Sequence, residues 1–312
     1  MNRRERYRGC LLGLAVGDAL GTTLEFCRPG SFTPISDMVG GGPFRLKPGQ
    51  WTDDTSMALC LASSLTERGG FDARDQMERY VRWWREGYWS STGHCFDIGN
   101  TTSAALSRFQ ETGDPFAGST DPHAAGNGSL MRLAPVPLFF ADDAAAAIEQ
   151  SAASSRTTHA TPTAVDACRY FAGLLVGAIQ GVSKAELLAA DYCPGPGLWA
   201  KQPLHPEVAA VAGGSFQRRQ PPQIRGTGYV VQSLEAALWA FHTTDNFRAG
   251  CLAAANLGDD ADTTGAIFGQ LAGAFYGEAA LPEAWLKRLA FRGTIEALAG
   301  QLMERSPVGK PA

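Results

Sequence analysis

No stretch of this sequence reaches the ~18 consecutive apolar residues of a membrane-spanning helix, so stable membrane insertion is not expected. The seven cysteines, Cys10, Cys27, Cys60, Cys95, Cys168, Cys193 and Cys251, are odd in number, scattered, and without a CxxC pair. That argues against a structural zinc site and for a reducing compartment. The five histidines never fall at HxxxH spacing, which removes a second route to zinc. Excess positive charge is missing too: 312 residues carry a net charge of −4, and nucleic acid is not an expected partner. Runs of alternating β-branched residues are absent, so the expectation is an all-α fold. The opening Met1-Asn2-Arg3-Arg4 imitates an export signal, but the apolar stretch at 10–16 is short, broken by Gly13 and Gly17, and followed at once by Asp18. A cytoplasmic protein is expected.

What is present is acid, concentrated. Gly258-Asp259-Asp260-Ala261-Asp262-Thr263-Thr264-Gly265 holds three carboxylates within four positions, and residues 256–286 contain no Lys or Arg. Two carboxylates ~4 Å apart repel by ~4 kcal/mol at an effective dielectric of about 20. A cation is the natural counter-charge. Ile267, Leu271 and Phe275 recur at i+4, as do Phe268, Ala272 and Tyr276, so the acids sit at the head of a helix. One Asp there is an ordinary cap, favoured by unpaired N–H groups and the helix dipole; three exceed what a cap needs. A calcium loop fits Asp260, Asp262, Thr264 and Gly265 but fails at its twelfth position, where Leu271 replaces the required Glu.

A second acidic helix start, Trp51-Thr52-Asp53-Asp54-Thr55, follows the Pro- and Gly-rich loop 28–50 and precedes the apolar positions Ala58, Leu61, Ala62 and Leu65. The two starts together point to one shared divalent site. All-oxygen donors favour Mg²⁺ or Mn²⁺, and their number exceeds what one Mg²⁺ takes, which makes two cations the expectation. Three glycine stripes at intervals of four, Gly9 to Gly21, Gly173 to Gly181 and Gly265 to Gly277, predict helices that approach closely in the core, since each mid-helix Gly costs ~1 kcal/mol against Ala. Further helices are expected over 71–87, 163–180, 229–241 and 282–302. One domain is expected over 1–302, with a disordered tail at 303–312, and 193–228 is the least regular region.

Gly13-Leu14-Ala15-Val16-Gly17-Asp18-Ala19-Leu20-Gly21 with Glu25, Gln50-Trp51-Thr52-Asp53-Asp54-Thr55, Asp97-Ile98-Gly99-Asn100-Thr101, Gly126-Asn127-Gly128-Ser129-Leu130-Met131-Arg132 and Asp260-Ala261-Asp262-Thr263-Thr264-Gly265 occur in that order. Together they resemble the ADP-ribosylglycohydrolases, and within them most closely the enzymes that reactivate dinitrogenase reductase. The resemblance implies an all-helical domain with two Mg²⁺ or Mn²⁺ ions held by Thr52, Asp53, Asp54, Asp260, Asp262 and Thr263. It further implies Asp97 as acid/base, Glu25 as a loop carboxylate that approaches the metals, and a groove for ADP-ribose lined by Asn100, Gly126, Asn127, Gly128, Ser129, Met131, His159 and Tyr229. The implied reaction releases ADP-ribose from a modified protein side chain, commonly arginine. A monomer is expected, apart from the resemblance. A binding or toxin-neutralising module with little turnover, or a hydrolase of another ADP-ribose linkage such as that to serine, a small ester or the pyrophosphate, are the alternatives. Asp259 stands where relatives usually carry Gly, adding a charge beside the metals.

Overall fold

The glycine stripes explain the centre of the molecule. The structure, a computed structural model, describes residues 1–190 and 192–306. Its helices in chain order are α1 (Arg3–Gly21), α2 (Asp53–Arg68), α3 (Ala73–Glu86), α4 (Asn100–Thr112), α5 (Pro135–Phe139), α6 (Ala144–Arg156), α7 (Pro162–Gln180) and α8 (Lys184–Leu187). They continue as α9 (Leu198–Lys201), α10 (Pro206–Ala212), α11 (Ser215–Arg218), α12 (Val230–Thr243), α13 (Phe247–Ala255), α14 (Ala261–Tyr276), α15 (Glu283–Arg288) and α16 (Arg292–Glu304). Extended pairing among the described residues is limited to isolated bridges such as Gly41–Leu46 and Gly126–Tyr229.

α1 and α14 run antiparallel with their backbones in contact. A Cβ added at Gly13 would lie 2.2 Å from the Gly269 carbonyl oxygen, and one at Gly17 would lie 2.0 Å from that of Gly265. The relation is mutual, since a Cβ at Gly269 would lie 1.9 Å from the Gly13 carbonyl. No residue with a side chain fits this seam. The propensity cost of the glycines is offset by burial of what flanks them: Leu12, Val16, Leu20, Ile267 and Leu271 are all buried, each contributing ~1.5–3 kcal/mol relative to exposure. α2, α7, α12, α13 and α16 pack around this pair. Because the pair is antiparallel, the end of α1 meets the beginning of α14.

Two expectations need correction. The stripe of α7 faces side chains rather than a second helix backbone: Gly173 accommodates Pro194, Gly177 accommodates Tyr192 and Leu187, and Gly181 is the left-handed cap. Stripe spacing reports close approach but not by what. The closing helix over 282–302 is two helices, broken between Arg288 and Arg292, where Phe291 takes a left-handed φ of 48° and Gly49 accepts a hydrogen bond from the Ala290 N–H. α16 extends to Glu304, and 307–312 of the expected tail lie outside the described residues.

Candidate active site

The antiparallel seam carries Asp18 and Glu25, at and just beyond the end of α1, to Asp260 and Asp262 at the start of α14. Asp18 also fixes α2. Its Oδ1 accepts from the Thr52 N–H at 2.9 Å, and its Oδ2 accepts from the Thr55 N–H at 3.0 Å and the Thr55 hydroxyl at 2.6 Å. An acid on one helix thus satisfies the amides at the head of another, and Thr52, Asp53 and Asp54 follow it into place.

The Thr52 hydroxyl then lies 2.9 Å from Asp18 Oδ1, 3.2 Å from Asp54 Oδ2 and 3.0 Å from Asp262 Oδ2. One hydroxyl has one proton to donate and faces three carboxylate oxygens. Asp54 Oδ1 and Asp262 Oδ1 are buried with no hydrogen-bond partner at all. Two carboxylate triads arise, each with oxygens within 4.8 Å of one another: Asp18, Asp54 and Asp262, and Glu25, Asp97 and Asp262. Asp262 belongs to both. Burial and the neighbouring carboxylates push Asp53, Asp54 and Asp262 well above the usual range; burial and Asp97 push Glu25 to about 10, and burial and Asp260 push Asp97 to about 7. Under-donated, buried, oxygen-only groups of this kind fit a hard divalent cation.

A cavity of about 250 Å³ opens above these acids. Asp53, Asp260, Asp262 and Thr263 form its floor, with Glu25 and Asp97 at one side and Asn100, Gly126, Asn127, Gly128, Met131 and His159 along the wall. Asn127 donates from Nδ2 to Asp260 Oδ2 at 2.6 Å, tying wall to floor. The Glu25 loop is clamped by a reciprocal backbone pair: the Phe26 N–H donates to Asp259 O at 2.7 Å, and the Asp259 N–H donates to Cys27 O at 2.8 Å. Phe26, Asp97 and Asp259 all hold positive φ, 59°, 58° and 54°, a conformation costing roughly 1–3 kcal/mol each for non-glycine residues. Two of these, Phe26 and Asp97, line the cavity and the third directly precedes its residue Asp260, so the surroundings enforce the shape of the site. The Asp259 carboxylate is paired at 3.0 Å with exposed Arg225, so its extra charge is directed away from the floor.

The family model described as ADP-ribosylglycohydrolase matches residues 1–311. The chain belongs to the ADP-ribosylglycohydrolase family. It is 45% identical to a protein named ADP-ribosylarginine hydrolase Tri1 from Pseudomonas putida (strain GB-1), over 97% of this chain and 79% of that relative. A protein of the same name from Serratia proteamaculans (strain 568) is 43% identical over 97% of this chain and 80% of its own. Identity is lower, 34% over 91% of this chain and 90% of the relative, to ADP-ribosyl-[dinitrogen reductase] glycohydrolase from Rhodospirillum rubrum. A solved structure titled ADP-ribosylglycohydrolase-related protein complex superimposes with a TM-score of 0.86 at 45% identity, covering 98% of this chain and 99% of that one.

Of the residues that resemblance to ADP-ribosylglycohydrolases implies for the groove, two stand apart from the cavity wall. Ser129 turns inward, its hydroxyl accepting from Ser155 Oγ at 2.8 Å, because the Asn127 carbonyl draws the following turn into the core. The Tyr229 hydroxyl bonds to the Glu207 carboxylate, and its ring walls a neighbouring cavity with Glu207 and Glu235. Thr52 and Asp54 lie buried beneath the floor. In the sequence Asp18 stands out only as part of the first glycine-striped motif, and nothing there distinguishes Phe26, Thr102 or Gly228, which line the cavity. Asp18 carried a signal, an acid in the apolar second half of α1 seven residues before Glu25; the others carried none.

Proposed function

We propose that this chain is a metal-dependent ADP-ribosylarginine hydrolase, cleaving the bond between the ribose anomeric carbon and a guanidinium nitrogen of a modified protein. The observation that carries this reading is the pair of carboxylate triads meeting at Asp262 on the floor of a cavity walled by Asn127, Gly128 and His159. The names of the relatives at 45% and 43% identity support arginine as the acceptor.

Thr52, Asp53, Asp54, Asp260, Asp262 and Thr263 hold two Mg²⁺ or Mn²⁺ ions, with Asp18 securing Thr52 from behind. Bound there, the cations supply Lewis acidity and a nucleophilic water at neutral pH. Asp97 moves the proton: hydrolysis breaks the C–N bond, adds hydroxyl to the anomeric carbon and returns one proton to the departing guanidine nitrogen. Glu25, beside Asp97, sits on the clamped loop that closes this side. Asn127, Gly128 and His159, with Asn100, Gly126 and Met131, orient the nucleotide, and the inward Ser129 and displaced Tyr229 support the wall from outside. Exposed Phe26 packs edge-on to Phe44, whose ring meets that of Phe96 at a tilt of 56°, giving an aromatic rim suited to a protein acceptor.

The 1–302 unit acts as one domain and as a monomer, in keeping with exposed large hydrophobics scattered at Met1, Phe26, Val39, Phe116 and Phe291. No described helix is long and apolar enough to cross a membrane, and the seven unpaired cysteines support a reducing, cytoplasmic setting. The deciding experiment incubates the protein with ADP-ribosylated arginine and serine substrates in Mn²⁺, Mg²⁺ or EDTA and identifies the released nucleotide. Metal-dependent ADP-ribose from arginine is expected. Release from serine alone would replace the acceptor, AMP would replace the bond, and binding without product would leave a binding module.

A further inference from the structure

Arg132 is fully buried, and among the described residues no carboxylate pairs with it. Its guanidinium donates to the Gly128 carbonyl at 2.9 Å and to the Thr158 hydroxyl oxygen at 2.7 Å, and it lies 4.6 Å from the centre of the Tyr80 ring. Arginine can only donate, so at this contact Thr158 is the acceptor. The Thr158 oxygen is also 2.9 Å from His159 Nδ1. Thr158 is itself fully buried, and among the described residues its hydroxyl has no other acceptor at hydrogen-bond distance. A buried hydroxyl proton left unpaired costs ~1–3 kcal/mol, so it goes to Nδ1. Nδ1 is then an acceptor, and the ring proton is on Nε2.

Nε2 is the nitrogen that reaches the cavity. A Cβ at Gly128 would lie 3.1 Å from Nε2 and 2.8 Å from Cε1, and one at Gly126 would lie 3.4 Å from Nε2. The two glycines let the imidazole edge through the wall, where Nε2 has no protein partner among the described residues. Burial and the Arg132 charge also hold the ring neutral, at about 3.

We propose that Arg132, acting through Thr158, is a positioning residue that locks His159 as the Nε2–H tautomer, leaving one fixed donor for an oxygen of bound ADP-ribose. The tautomer follows from the hydrogen-bond chain alone; the identity of the ligand rests on the hydrolase reading above.

The test is ¹⁵N NMR of the histidine-labelled, Mg²⁺-loaded protein together with calorimetric ADP-ribose binding, with His159→Gln identifying the resonances by their loss. Expected is a protonated Nε2 and a bare Nδ1, unchanged from pH about 5.5 to about 8, where an ordinary histidine titrates. Thr158→Val should lose that fixed pattern and weaken ADP-ribose binding about ten-fold, ~1.4 kcal/mol. Thr158→Ser, which keeps the hydroxyl, should restore both. A wild-type spectrum with Nδ1 protonated or with averaged tautomers overturns the proposal, as does a folded Thr158→Val that keeps pattern and affinity, or a Thr158→Ser that loses them. If Thr158→Val does not fold, the wild-type spectrum and Thr158→Ser decide. Absence of ADP-ribose binding in the wild type, with the expected spectrum, removes the ligand assignment and leaves the tautomer standing.

Discussion

One hydroxyl proton shared among Asp18, Asp54 and Asp262 sets the chemistry at the scale of single residues. Removing one charge should relieve repulsion in the metal-free protein while removing a ligand. Asp54→Asn is therefore expected to raise the melting temperature in EDTA, yet to lower divalent-cation affinity by at least the ~10–100-fold typical of losing a supporting partner. Thermal shift with and without Mn²⁺ checks both signs; equal shifts in mutant and wild type would separate Asp54 from the metals. Asp97→Asn should cut turnover by ~10²–10⁴-fold, the usual worth of a general acid or base, while keeping ADP-ribose affinity. Chromatographic product assays and calorimetry read the two, and loss of binding would give Asp97 a purely structural part. At this scale the acids clustered in sequence, Asp53, Asp54, Asp260 and Asp262, were legible because local crowding of like charge is itself the signal. The role of Asp18 was not, since one acid in the apolar second half of α1 reads as structural until its partners Thr52 and Thr55, 34 and 37 positions away, are seen. Ser129 and Tyr229 fall outside the cavity lining, because a motif specifies residue types but not which way a side chain turns.

Among elements, the contact between α1 and α14 outranks the rest, because each helix end carries part of the acid cluster. Gly13→Ala would put a methyl 2.2 Å from the Gly269 carbonyl oxygen. The helices must part, at a cost of at least the ~1–3 kcal/mol of overpacking, and the distance from Asp18 to Asp262 widens with them. Both urea stability and divalent affinity are expected to fall. Gly300→Ala in α16 is the control: its Cβ meets nothing within 4 Å, so stability should stay level or rise by up to ~1 kcal/mol. Matching losses in the two variants would mean that the seam is not the cause. The stripes were visible as i+4 repeats, and for α1 and α14 they identified the close pair. For α7 the same spacing misled, since only the folded chain reveals that Pro194, Tyr192 and Leu187 fill its grooves. The break at Phe291 has a weak local signal, Gly293 two positions on, but the left-handed φ falls on a phenylalanine, a residue type that does not announce one.

For the molecule as a whole, the buried acids tie stability to pH and to metal. Asp53, Asp54, Asp262 and Glu25 titrate higher folded than unfolded, so the folded protein keeps protons that the unfolded chain releases from about pH 4. Their contribution is complete below that point and is lost as the pH climbs through neutrality towards about 10, the value for Glu25. His159, held at about 3, acts oppositely and only below the ordinary histidine value of about 6.5. In EDTA the melting temperature should therefore decline steadily above pH about 6.5, and saturating Mg²⁺ or Mn²⁺ should flatten that decline. A flat profile in EDTA would mean that the acids find another counter-charge. The all-helical class was readable from composition and periodicity; the assembly of distant acids into one floor was not, because it depends on which helices pair.

That pairing has a consequence in time. α1 leaves the ribosome first, but the helix that covers its glycine face begins only at Ala261. At ~5–20 residues per second, α1 waits on the order of ten to fifty seconds for its partner. Until then Asp18 has no Asp262 to stand beside, so a stalled or prematurely terminated chain is chemically silent. The acid cluster is therefore assembled only once synthesis has passed Asp260 and Asp262, well after α1 has emerged.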